Sequence, residues 1–182
     1  MCQRFRLTNQ TKTVFASLVG YEDGFSAEEI NIRDKTRCLV KENGAFLIRY
    51  RKFGYPLKDK VIANARSETV GEKSLFSDDF SHRRLLVPVN GFYEYDKNKI
   101  LHYFEEENEN RFYLAGIYHG SDFVLLTERP SEVISYYHPR MPLCIDRKDK
   151  FLYLNKDTKI EDLKNRREVR LVNPSSPQLS LF

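Results

Sequence analysis

From Cys38 to Val172 the chain is a succession of short apolar runs broken by polar or turn-forming residues: CLVK, AFLIRYRKF, RRLLVPV, GFYEY, ILHYFE, RFYLAGIYH, FVLLT, LCI, FLYL and REVRLV. Runs of this length, rich in β-branched and aromatic residues, suit strands better than helices. The first two flank Glu42-Asn43-Gly44, and Asn-Gly between strand-like runs is the strongest short-range hairpin signal a sequence offers. No regular alternation of strand and helix and no internal repeat is present, which argues against a parallel βαβ architecture.

Helical signals are few. TNQTKTVFASLV at 8–19 has Thr8 or Asn9 as N-cap, apolar Val14, Phe15, Leu18 and Val19 at helical spacing, and Gly20 as stop. SEVISYYH after Pro130 and IEDLKN near 160 read as short helices, and ENEN at 107–110 as a turn. The expected fold is therefore α+β: a β-rich single domain with a mainly antiparallel, barrel-like sheet core and a few short helices. At 182 residues and 41% apolar content the chain suits one soluble domain. We place that domain at 1–172. From 173 the composition changes to NPSSPQLSLF, which its prolines and serines keep from continuing a strand, and an extended tail is expected there.

Thirty Lys and Arg against 26 Asp and Glu give a net charge of +4, which favours a polyanionic partner without naming one. MCQRFRLTNQ lacks the apolar core of a signal peptide, and no stretch approaches the ~20 apolar residues of a membrane span. A cytoplasmic, nucleoid-associated protein with no membrane partner is expected. Three cysteines without CxxC spacing and without an export signal predict neither a disulfide framework nor a zinc site, so no metal or cofactor is expected. Cys38 and Cys144 lie in apolar runs and read as structural thiols, and His82, His102 and His119 show no ligand spacing.

Four separated segments belong together: MCQRF at 1–5, NARSET at 64–69, RRLLVPVNGFYEY at 83–95 and HPRMP at 138–142. In order and spacing they resemble the SRAP family, the "SOS response-associated peptidase" domain that processes abasic sites. The resemblance runs nearly from end to end. The chain departs from the family pattern at Gln3 (usually Gly) and Tyr95 (usually Trp). Phe53-Gly54 stands where relatives have Trp-Gly, and the family's Asn-Ala-Pro segment is not recognisable around IRDKTRC.

The resemblance implies a reaction. An abasic sugar in its open form presents an aldehyde, and a 1,2-aminothiol traps aldehydes well. With Met1 removed, which the small Cys2 side chain permits, the new terminus carries an amine and a thiol on adjacent carbons. The amine forms a Schiff base and the thiol closes a thiazolidine. An α-amine has a reference pKa near 7.7–8.0, so a useful neutral fraction exists at cellular pH. The resemblance makes Cys2 the reacting residue, Glu94 and His138 the proton-transfer groups, and Asn64 the residue that holds the sugar or the terminus. It offers Arg4, Arg66 and Arg140 as phosphate contacts, with Lys73 as a further point charge. The implied partner is single-stranded DNA carrying abasic sites.

Two other readings stand beside it: a thiol peptidase with Cys2 as nucleophile and His138 as base, acting at least on its own Met1, and a non-catalytic DNA-binding adaptor. The tail ends in Gln178-Leu179-Ser180-Leu181-Phe182, which looks like the pentapeptide by which bacterial repair proteins bind the sliding clamp, with Gln178, Leu179, Leu181 and Phe182 as the contacts. Packing of the same residues on the chain's own domain would explain them as well.

Overall fold

The structure, a computed structural model, describes residues 2–7, 28–107, 112–159, 162 and 170–173. The helix expected at 8–19 and the tail residues Gln178, Leu179, Leu181 and Phe182 lie outside the described residues. So does most of the helix expected near 160.

Fifteen strands make up most of the described chain. A five-stranded antiparallel sheet has the order β15-β10-β9-β1-β2, with β1 at Arg4–Leu7, β2 at Glu28–Asn31, β9 at Gly91–Tyr95, β10 at Leu101–Glu106 and β15 at Leu171–Val172. The larger sheet joins β3 (Lys35–Glu42), β4 (Ala45–Phe53), β8 (Arg84–Val89), β11 (Phe112–His119) and β12 (Asp122–Glu128). Because β12 pairs with both β11 and β4, these five close into a ring. Three short strands extend it: β7 (Asn64–Arg66) and β13 (Met141–Pro142) on β12, and β14 (Cys144–Ile145) on β11. A separate hairpin pairs β5 (Tyr55–Leu57) with β6 (Lys60–Ile62). The β-rich α+β expectation holds, and the sheets are mostly antiparallel; β12 runs parallel to β4 and to β7.

The hairpin at Asn43-Gly44 forms as its sequence predicts. Glu42 pairs with Ala45, and Asn43 and Gly44 take φ of 50° and 81°, the left-handed pair that a two-residue turn requires. All six residues of β8 are buried, which is why RLLVPV shows no polar alternation. Leu85, Val87 and Val89 join one apolar cluster with Phe5, Phe92 and Phe104 of the five-stranded sheet. Leu86 joins a second with Phe80 of α1 (Ser77–His82) and Tyr153 and Leu154 of α3 (Lys150–Leu154).

One expected strand is a helix. FLYL lies within α3, with Phe151 and Leu152 exposed and Tyr153 and Leu154 buried, a pairing of neighbours that an alternating strand cannot give. The Tyr153 hydroxyl donates to the Gly116 carbonyl at 2.8 Å and ties the helix to β11. The helix expected over SEVISYYH is confined to α2, Glu132–Ser135.

Candidate active site

Strand pairing brings three of the four motif segments to one end of β1. The antiparallel register Arg4↔Tyr93 lays the Glu94 end of β9 beside the chain that enters β1 from Cys2. From the other sheet, β7 carries Asn64, whose side-chain amide donates to the Cys2 carbonyl at 2.9 Å. Asn64 Oδ1 is buried and accepts no hydrogen bond from the described residues. Reversing the amide would set oxygen against the Cys2 carbonyl, so the orientation is fixed.

Cys2 is fully buried, and its thiol lies 3.5 Å from the Arg4 carbonyl. Burial pushes the thiol well above its ordinary range, and the nearby Glu94 charge pushes it further. Glu94 is 2% exposed. Burial raises its carboxyl from 4.5 to about 7, against the opposing pull of the positive amino terminus.

His138 follows α2 in the half-buried HPRMP segment. Its Nδ1 lies 2.7 Å from the Arg140 carbonyl and 3.1 Å from the Arg140 amide nitrogen, so the ring is held by the backbone of the same loop. Burial lowers the imidazole below its ordinary value, and the amino-terminal charge lowers it too, so it is neutral near pH 7. The amino terminus thus acts electrostatically on Cys2, Glu94 and His138 alike.

The motif residues Arg4, Arg66 and Arg140, and Lys73 downstream of NARSET, are placed differently. Arg4 donates from Nε to Asn31 Oδ1 at 2.9 Å and stacks its guanidinium over Tyr93, 5.8 Å from the ring centre. Arg66, at the end of β7, and Lys73 are exposed and have no ion-pair partner among the described residues. Arg140 is engaged by protein: it contacts both oxygens of Glu68 at 2.7 and 2.8 Å and the Thr127 carbonyl at 2.6 Å. This brace holds HPRMP against NARSET across β12, where Thr127 pairs with Arg66 on one side and Pro142 on the other. Asn31 and Thr127 carried no sequence signal, because their partners stand far away along the chain. Cys38 and Cys144 are buried in β3 and β14. Among the described residues no group of three or more His, Cys, Asp or Glu is placed to hold a metal ion.

The family model described as SOS response associated peptidase (SRAP) matches residues 1–179. Abasic site processing protein YobE of Bacillus subtilis (strain 168) is 32% identical over 117 residues, covering 57% of this chain and 51% of the relative. Abasic site processing protein YoqW of the same strain is 31% identical over 117 residues, covering 57% and 50%. The chain therefore spans about half the length of the curated relatives it matches. Among solved structures, a phage-related protein from Bordetella bronchiseptica superimposes with a TM-score of 0.75 at 14% identity, covering 96% of this chain and 95% of that one. At that identity the likeness is one of fold.

Proposed function

The chain belongs to the SOS response associated peptidase (SRAP) family, and from that premise we propose that it is a covalent sensor of abasic sites in single-stranded DNA, reacting through Cys2 once Met1 is removed. The observation that carries this reading is the setting of Cys2: fully buried, gripped at its carbonyl by Asn64, and within the field of a carboxyl that is half protonated near neutral pH. The names of the two Bacillus relatives, abasic site processing proteins, point the same way.

In the proposed reaction the neutral amine of Cys2 adds to the aldehyde carbon of an opened abasic sugar. The Glu94 carboxyl gives its proton to the carbinolamine hydroxyl, which leaves as water and produces a protonated imine that keeps the amine's remaining N–H proton. Sγ then adds to the imine carbon while its proton passes to the Glu94 carboxylate, and the ring nitrogen remains as a secondary amine. One C–N and one C–S bond form, one water leaves, and nothing is oxidised or reduced. A group with a pKa near 7 suits both transfers. Neutral His138 takes the proton of the sugar's anomeric hydroxyl as the bond to the ring oxygen breaks and returns it to that oxygen, which leaves as the new hydroxyl, and Asn64 Oδ1 accepts a sugar hydroxyl. Arg66, Lys73 and Arg4 face phosphate, while Arg140 positions the His138 loop. The tail at 178–182 docks on the sliding clamp; deletion of those five residues is expected to abolish clamp capture in a pull-down, and capture unchanged by the deletion overturns the docking.

A thiol peptidase requires a thiolate, which a cationic setting favours. The Cys2 thiol is instead held protonated by burial and by a neighbouring carboxylate, which favours an amine that attacks first. The test mixes the protein, with Met1 loss verified by mass, with a single-stranded oligonucleotide carrying one abasic site, and resolves the mixture on a denaturing gel. A heat-stable shifted band formed without reductant, and lost in Cys2→Ala and Cys2→Ser, is expected. No band from correctly processed protein overturns the reading, and salt-sensitive binding unchanged by Cys2→Ala would then favour the adaptor.

A further inference from the structure

A depression of about 260 Å³ opens beside the β5–β6 hairpin, lined by Arg33, Lys52, Lys58 and Lys60, with Asp59 and Asp122 as the acidic members. All four cations are exposed, and none has an ion-pair partner among the described residues. The depression is built by the backbone. Gly54 lies on its floor at φ +104°, where a Cβ would stand 2.3 Å from Val61 Cγ1, so only glycine lets the hairpin fold back so closely. Arg33 and Lys58 take φ of 78° and 43°, a conformation that glycine and asparagine adopt more readily, yet both positions carry cations.

Two elements connect this depression to Cys2. Lys60 begins β6, and four residues later the chain reaches Asn64, whose amide grips the Cys2 carbonyl; four extended residues span at most about 14 Å. On the other wall, Arg33 stands two residues beyond Asn31, the hydrogen-bond partner of Arg4. The cations thus lie one short strand away from the reacting residue, outside every motif that identified the site.

We infer that this depression is a subsite for the phosphodiester backbone of the single strand that enters the site, with Arg33, Lys52, Lys58 and Lys60 neutralising consecutive phosphates. The inference rests on the DNA reading above but not on its chemistry. Ammonium groups bind phosphate oxygens without reading bases, which suits a protein that must accept any sequence around a lesion.

The test therefore uses intact single-stranded DNA without an abasic site. Equilibrium binding of wild type, Lys58→Gln/Lys60→Gln and Lys58→Arg/Lys60→Arg is measured from 50 to 200 mM salt. Each single-strand phosphate contact contributes about 0.7 to the slope of log K against log salt, so removing two lowers the slope by about 1.4. The affinity gap between wild type and the glutamine variant should then shrink about sevenfold across that range, with the arginine variant following wild type. Equal slopes for wild type and the glutamine variant, or no binding of intact DNA by wild type, overturn the subsite. Failure of covalent capture is read separately, from the wild-type denaturing gel, so the two failures are distinguishable.

Discussion

Glu94 and Asp79 are both removed from water, at 2% and 3% exposure, and the fold holds them in different company. Asp79 lies in α1 and accepts from the Tyr55 hydroxyl at 2.9 Å and from Arg83 Nε at 2.5 Å, with His119 Nδ1 3.2 Å away. Burial, and after it the Asp79 charge, hold the Tyr55 phenol far up, so it remains a donor. This carboxylate is paired with a guanidinium, and what it does is fasten α1 to β5 through Tyr55. Glu94 is set near a thiol and the amino terminus, and its burial is left to show as a carboxyl raised to about 7. The difference teaches that burial alone does not mark a chemical group. The acid buried against a guanidinium and a phenol serves as an anchor, whereas Glu94, raised to about 7, can gain and lose a proton near neutral pH.

The sharpest way to break this comparison is to remove each acid in turn. Glu94→Gln should slow formation of the covalent DNA adduct by about a hundredfold or more, the scale of a lost proton-transfer group, in single-turnover gel assays. Asp79→Ala should leave that rate unchanged at equal folded fraction. It should instead cost about 3 kcal/mol in urea denaturation, because Arg83 and the Tyr55 hydroxyl lose a buried partner. Equal slowing by both substitutions would end the distinction.

A second test uses pH. Glu94 has a folded pKa of about 7 against 4.5 for the ordinary carboxyl, so between those values the folded state binds more protons than the unfolded state. Its contribution must therefore fall as pH rises from about 4.5 to 7, by at most about 3 kcal/mol. Glu94→Gln should flatten that part of the stability profile and be at least as stable as wild type at pH 8. A wild-type profile that instead rises through this window by the same amount, and is unchanged in the variant, would show that Glu94 is not raised.

Much of this organisation was legible in the sequence. Asn43-Gly44 declared its hairpin, and GFYEY and AFLIRYRKF match β9 and β4 residue for residue. The motif residues Cys2, Asn64 and Glu94 were named from their segments, and their meeting depends on pairings that link positions 4 with 93 and 64 with 125. Such pairings are invisible to any local pattern. FLYL misled because a four-residue apolar run fits strand or helix, and only the face it buries decides. The bracing of Arg140 by Glu68 and Thr127 was equally hidden, since an arginine in a motif looks the same whether it faces phosphate or protein. The basic depression was missed because Arg33, Lys52, Lys58 and Lys60 converge only through the turn after β2 and the glycine bend at 54.

The smallest effect concerns the third partner of Asp79. The His119 imidazole is 75% exposed although its Nδ1 lies 3.2 Å from the carboxylate. Water screens an ion pair so placed, and Tyr55 and Arg83 already occupy both carboxylate oxygens. His119→Gln should therefore change stability by less than about 0.5 kcal/mol in urea denaturation at pH 7. A loss near 2 kcal/mol would instead mean that Tyr55 and Arg83 do not by themselves hold the Asp79 side chain in place.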